Sequence, residues 1–136
     1  MASEEAVKEY DLKPLCRIVN YVSVGCEPTI MGIGPAPAIK SLLSKSDIPL
    51  SSISRFEVNE AFAAQYLAVE KELGLDRDKT NLHGGAISLG HPLAASGSRI
   101  LAHLANEFSW NNDMDYAIGS ACIGGGQGIA TLLERV

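Results

Sequence analysis

The chain has 136 residues, 46% of them hydrophobic and 20% charged, a balance that fits one globular domain with enough length to build a core. Its formal net charge is −5, and no run of Lys or Arg interrupts it, which argues against a nucleic-acid surface. The longest charge-free stretches contain Gly, His, Pro and Ser, so none reads as a membrane span.

Taken in chain order, Ser3 reads as an N-cap with Glu4 and Glu5 in the first turn of a short helix reaching about Tyr10. The run from Arg17 to Gly25 is β-branched and apolar (Ile18, Val19, Val22, Val24) and predicts a buried strand. Met31-Gly32-Ile33-Gly34-Pro35 is a loop, after which Pro35 or Pro37 opens a helix to about Lys45, with Ile39, Leu42 and Leu43 on one face. Ser54 to Val58 is a second, short strand. Asn59 is placed to cap the helix that follows, whose stripe is Phe62, Tyr66, Val69 and Leu73, with Gly74 at its C′ position.

A short extended piece near Asn81-Leu82 leads into Gly84-Gly85. After Gly90-His91-Pro92 the spacing predicts a helix with Leu93, Gly97, Ile100, Leu101, Leu104 and Phe108 on one side. Asn111-Asn112-Asp113 is a turn cluster. Two last strands, about Tyr116–Ala121 and Gly128–Glu134, have a short link and should pair antiparallel. Alternation of strand and helix up to that hairpin implies an α/β domain with a mostly parallel sheet, because parallel strands need crossovers.

Three cysteines, Cys16, Cys26 and Cys122, form an odd set with no C-x-x-C spacing. That argues against a disulfide framework or a zinc site and fits a reducing compartment. Met1-Ala2-Ser3-Glu4-Glu5 has no signal- or transit-peptide character. The protein is then cytosolic, or a targeting segment lies outside this chain.

Three polar loops stand out, each where an apolar strand-like run meets a turn or helix. Asn59 can serve as a helix N-cap, or its amide can hold a water or carbonyl oxygen at a strand end. His83 and His103 read as solvated or satisfied residues. His91 lies between Gly90 and Pro92 in a tight turn beside a positive helix end, a setting that suits a neutral imidazole able to take a thiol proton. Cys16 and Cys26 are most simply small buried hydrophobes. Cys122 opens a run holding Gly124, Gly125, Gly126 and Gly128, whose backbone N–H groups can approach a ligand; a flexible hairpin turn is the plain alternative. Neither a P-loop nor a dinucleotide fingerprint is present.

Asn59-Glu60-Ala61-Phe62-Ala63, Gly84-Gly85-Ala86-Ile87, Gly90-His91-Pro92 with Ser96-Gly97, and Cys122-Ile123-Gly124-Gly125-Gly126-Gln127-Gly128 together resemble the signature regions of the C-terminal half of the thiolase family. Met31-Gly32-Ile33-Gly34-Pro35 matches the same family. The resemblance runs from about Ser3 to the end. Tyr66-Leu67-Ala68-Val69-Glu70 and Gly119-Ser120-Ala121-Cys122 are most similar to the mitochondrial branch acting on 3-ketoacyl-CoA.

The resemblance implies a βαβαβαββ domain with a mixed five-stranded sheet and helices on both faces. Residues 1–15 would form an N-terminal helix and lead-in, and residues 16–136 the domain itself. It implies thiolytic cleavage of 3-ketoacyl-CoA to acetyl-CoA and a shortened acyl-CoA, or the reverse Claisen condensation. His91 would activate a nucleophilic cysteine and help bind the thioester oxygen, with Asn59 holding a water there. Cys122 would be the acid/base at the acetyl α-carbon, and the Gly124 N–H would serve a second oxyanion hole. Met31, Ala61 and Phe62 would line the substrate channel. No metal or prosthetic cofactor is implied; acyl-CoA and CoA are substrates. A homodimer or homotetramer, and the mitochondrial matrix rather than cytoplasm or peroxisome, follow by the same resemblance.

Asn59, where related condensing enzymes carry a second His, favours a thiolase. Two features depart from the family. Ala94 replaces a usual Gly, with an added methyl expected to press on the neighbouring helix and the His91 turn. The family's nucleophilic cysteine belongs to an N-terminal half outside these residues, so the chain is expected to be part of a longer protein and to be inactive alone. The alternative is a non-catalytic module that keeps the fold for dimerisation or binding.

Overall fold

The computed structural model describes residues 1–136. Helix α1 (Glu4–Glu9) begins as expected: the Ser3 hydroxyl accepts the Ala6 N–H at 3.2 Å. Strand β1 (Arg17–Gly25) leads through a 3-10 turn, Pro28–Ile33, into helix α2 (Pro35–Ser46). After strand β2 (Arg55–Val58) come helix α3 (Ala63–Leu73), the single-turn helix α4 (Ala86–Leu89) and the long helix α5 (Ser96–Trp110). Strands β3 (Tyr116–Ile123) and β4 (Gln127–Glu134) close the chain as a hairpin.

The sheet has order β1-β4-β3-β2. Strands β1, β2 and β3 run one way, and β4 runs antiparallel to both its neighbours, β1 and β3. It therefore has four strands, not the five expected. The piece near Asn81-Leu82 contributes only a single parallel bridge, Phe56 to Thr80, on the outer side of β2. Asn81 then turns into the left-handed region at φ 50, and a strand cannot continue through that conformation.

Helices cover both faces. Ala36, Ala38, Ile39 and Leu42 of α2 pack with Val22, Phe56, Val58, Ile118, Ala130 and Leu132 of the sheet and with Val69 of α3. On the opposite face Ile100, Leu104 and Phe108 of α5 meet Ala117, Leu133 and Met114. Residues such as Ile39, Leu42 and Leu104 are fully buried, each stabilising the fold by about 1.5–3 kcal/mol relative to exposure. Gly119 of β3 admits α5 closely, since a Cβ there would meet Ile100 at 2.8 Å.

Strand β2 alternates strictly. Phe56 and Val58 enter the α2 side, so Arg55, Glu57 and Asn59 turn to the α5 side. Glu57 and Asn59 are buried there although both are polar.

The expected helix after Gly90-His91-Pro92 starts later than the spacing suggested. Residues 93–95 form a turn and α5 opens at Ser96. Leu93 is consequently 84% exposed and outside the apolar stripe. Ala94 lies in the same turn and is exposed, so its methyl is not pressed against a neighbouring helix within this chain.

Candidate active site

The parallel pair β2 and β3 carries the Asn59 loop and Cys122 to one sheet edge. Val58 stands opposite Ser120, and the Asn59 N–H donates to the Ser120 carbonyl at 2.9 Å. Cys122 follows two residues further along β3. Asn59 does not cap α3: that helix begins at Ala63, and its first turn is closed by Gln65, whose side-chain oxygen accepts the Phe62 N–H at 3.4 Å. The Asn59 carboxamide is thereby free for tertiary use. Its Nδ2 lies 3.3 Å from His91 Nε2, while its Oδ1 is buried and finds no partner in the chain.

The His91 ring is fixed from its other side. Its Nδ1 is 2.6 Å from Ser96 Oγ, and that hydroxyl donates to the Pro92 carbonyl at 3.2 Å. With its only proton committed, Ser96 Oγ accepts from His91 Nδ1–H. Nε2 is then left with a lone pair, which accepts from Asn59 or takes a proton from an acid brought against it. Although α5 starts after Pro92, Ser96 is its first residue, so the ring is still anchored at the positive end of a 15-residue helix.

The loop holding Asn59 is supported by residues whose roles sequence reasoning did not identify. The Asn81 side chain imitates a strand, donating to the Val58 carbonyl and accepting the Val58 N–H, both at 2.9 Å. It also donates to Glu60 at 3.0 Å. The second Glu60 oxygen accepts the Ile87 N–H at 3.1 Å, tying the Asn59 loop to α4 just ahead of His91. Gly85 makes room for this carboxylate; a Cβ there would land on it. The adjacent pair Gly84-Gly85 was the one sequence signal of such a close approach, whereas Ser96 and Asn81 act through partners distant in the chain.

Cys122 is half-buried. Burial pushes its thiol pKa above the ordinary value, against the lowering effect of a backbone hydrogen bond, and the neighbouring Cys26 adds to the rise. It remains protonated at neutral pH. Cys122, Met31 and Phe62 line one mainly apolar cavity together with Ile30, Ile33, Gln65, Ala64 and Ala68. Ala61 lies between Asn59 and Phe62 but outside that lining.

The glycine loop is shaped by close contact. The Cys26 N–H donates to the Gly126 carbonyl at 2.7 Å. Gly126 has φ +85, and a Cβ on it would strike Cys26 and Pro28; both constraints require glycine. Gly124 is open on its side, and its N–H donates to no acceptor within the chain.

Two groupings therefore share the carboxyl edge of adjacent parallel strands. One is the Asn59–His91–Ser96 chain; the other is Cys122 with Met31 and Phe62 on one cavity. Cys16 is separate and packs with the α5 cluster. Such a set offers an imidazole base, a protonated thiol and a carboxamide, which suits proton transfer beside a developing oxyanion.

Comparison with known proteins identifies the family. Residues 12–135 match the family model described as thiolase, C-terminal domain. The chain is 61% identical over 135 residues to a bovine protein named 3-ketoacyl-CoA thiolase, mitochondrial, a match that covers 99% of this chain and 34% of the relative. The crystal structure of human mitochondrial 3-ketoacyl-CoA thiolase in complex with CoA superposes with a TM-score of 0.96 at 58% identity, over 99% of this chain and 34% of that one. An acetyl-CoA acetyltransferase from Bacillus anthracis superposes at 0.94 with 51% identity, over 98% of this chain and 34% of that one. The chain spans about a third of the length of the relatives it matches. With this fold, these loops and these matches, it belongs to the thiolase family, in the part that forms the C-terminal domain.

Proposed function

We infer that the chain supplies the acid/base half of a 3-ketoacyl-CoA thiolase. The reaction is cleavage of 3-ketoacyl-CoA by CoA into acetyl-CoA and a shortened acyl-CoA, or the reverse condensation. Residues 16–136 form the C-terminal thiolase domain, preceded by a helix and lead-in over 1–15.

His91 Nε2 takes the proton of a nucleophilic cysteine supplied from outside these 136 residues, and the thiolate attacks the keto carbon. Breaking the Cα–Cβ bond leaves an acetyl-CoA enolate. The oxyanion is held by the resulting imidazolium and by a water on Asn59, whose unpartnered Oδ1 is available to orient it. Cys122 gives its proton to the α-carbon, and the Cys122 thiolate then deprotonates incoming CoA, which attacks the acyl-enzyme; the enzyme C–S bond breaks, the shortened acyl-CoA leaves, and the released nucleophilic thiolate takes its proton back from the His91 imidazolium. A thiol kept protonated by burial suits this cleavage direction. The Gly124 N–H serves the second oxyanion hole. Met31, Ala61 and Phe62 border the acyl channel; for Met31 and Phe62 the support is the apolar cavity shared with Cys122.

The remaining half of the enzyme is the first partner. The matched relatives named mitochondrial and the CoA complex among the structural matches support a mitochondrial matrix enzyme acting on CoA thioesters; the family resemblance alone suggests a homodimer or homotetramer. No bound metal or prosthetic group is needed for these steps.

The observation that carries this reading is the Asn59–His91–Ser96 chain one strand away from Cys122. The test is to mix the chain with a separately produced N-terminal thiolase half and follow thiolysis of acetoacetyl-CoA. Activity that appears only on mixing and is lost in His91→Ala and Cys122→Ala supports it. Activity that survives both substitutions refutes it.

A further inference from the structure

The far half of α5 holds a second polar cluster that the reaction does not use. Glu107 is 1% exposed. Its Oε1 takes a 2.6 Å hydrogen bond from Arg55 Nε. Its other oxygen, Oε2, is buried without a hydrogen-bond partner and faces His103 Nε2, likewise unpartnered, at 3.8 Å. The orphaned Glu57 Oε1 stands 3.7 Å from the same nitrogen. His83, on the exposed loop ahead of Gly84, closes the group from outside: its ring lies edge-on to His103 with centroids 5.1 Å apart.

Ligand atoms of His83, His103 and Glu107 all lie within 4.8 Å of one another. Around a zinc-like ion with bonds of about 2.0–2.2 Å, ligand atoms sit about 3.2–3.6 Å apart. His103 Nε2 and Glu107 Oε2 are already 3.8 Å apart, and His83 lies on an exposed loop beside them. Two imidazoles and a carboxylate form a donor set for borderline divalent metals, with a fourth position left for water. The carboxylate is already oriented by Arg55, the outer-shell support such ligands ordinarily have.

We propose that His83, His103 and Glu107 bind a divalent transition-metal ion of the zinc and nickel class, clamping the His83 loop to α5. This site goes beyond the acyl-transfer reading and does not depend on it.

Trp110 provides a local reporter. It is the chain's single tryptophan, and its ring centroid lies 6.4 Å from that of His103. Titrating the 136-residue chain with Ni2+ should quench Trp110 fluorescence saturably, EDTA should restore it, and Zn2+ should compete. His83→Asn, at an exposed loop position where folding is not at risk, should weaken the midpoint by at least about tenfold with an unchanged far-UV spectrum. No quenching up to millimolar Ni2+, or an equal midpoint in His83→Asn (as binding at the thiols would give), overturns the proposal.

Discussion

Replacing Glu57 by Gln should make the protein more stable at alkaline pH, although it removes a buried ion-pair partner. Burial pushes the Glu57 pKa from 4.5 up to about 7, with Arg99 opposing the rise and Glu107 and Glu60 adding to it. The folded chain thus holds this proton more tightly than the unfolded chain. The associated stability is fully present below pH 4.5 and is lost as pH rises through 7. The gap, about 7 less 4.5, is about 2.5 pH units; at about 1.4 kcal/mol each it amounts to roughly 3 kcal/mol. Most of that loss, about 2.5 kcal/mol, falls between pH 5 and pH 8. His103, whose pKa burial lowers, contributes with the opposite sign in both proteins, so the informative quantity is the difference between them. The substituted carboxamide stays neutral at every pH and still offers Arg99 a carbonyl. Urea denaturation at pH 5 and pH 8, with a chelator present, should show the variant near wild type at pH 5 and more stable by about 2–3 kcal/mol at pH 8. Equal pH dependence in the two proteins would refute the linkage.

Removing the other side of the same cluster should act in the opposite direction. Arg55→Met strands the buried Glu107 carboxylate and should cost about 3–5 kcal/mol by urea denaturation at neutral pH. Leu104→Ala, at a fully buried position between α5 and the sheet, should cost about 2–5 kcal/mol in the same assay. Gly128→Ala sets a methyl against the Gly34 carbonyl at the start of α2; since backbone must move, the loss should reach the upper end of about 1–3 kcal/mol. In the reconstituted enzyme, Ser96→Ala releases the His91 Nδ1–H. Thiolysis should fall about 10- to 100-fold with stability little changed, and Ser96→Thr should restore most of it; unchanged turnover in Ser96→Ala would show that the ring needs no such anchor.

The strand Arg17–Gly25 was legible from its β-branched run, but not its burial: it is an edge strand with Ile18, Val19 and Tyr21 exposed and only Val22 buried, because a sheet edge has no second neighbour to cover it. The Ile100, Leu104, Phe108 stripe was legible because it rests on local periodicity. The loop carrying Cys122 was legible because four glycines in so short a run have little other use. Of the two readings of Asn59 the cap failed, because the choice depends on whether Gln65 closes α3, which local pattern does not encode. The fifth strand failed at one residue: Asn81 spends its side chain completing β2 and bends its own backbone to do so. His103 was read as solvated or satisfied, yet it lies against Glu57 and Glu107 with its Nε2 unpartnered. The i,i+4 spacing to Glu107 on the same helix was a local signal; Glu57 was not legible, because it is brought there by how α5 crosses β2.

That crossing also explains why polar residues are buried beside the site at all. Arg55, Glu57 and Asn59 lie two apart on β2, about 6.6 Å per step. Their partners on or just ahead of α5 run in the reverse direction: Asn59 meets His91, anchored on Ser96, Glu57 faces Arg99 and His103, and Arg55 binds Glu107. Four residues of helix advance about 6 Å, so the step from His103 to Glu107 keeps pace with the step from Glu57 to Arg55 on the strand. An apolar interface would let α5 slide or rotate against β2 at modest cost, since hydrophobic contact is not directional. Buried charges are intolerant of such movement, because a displaced partner leaves the other unpaired. The ionic rungs therefore hold α5 in the one register that sets Ser96, and with it His91 Nε2, against Asn59. The destabilising carboxylate at position 57 is the thermodynamic cost of fixing a base at the far end of the same helix.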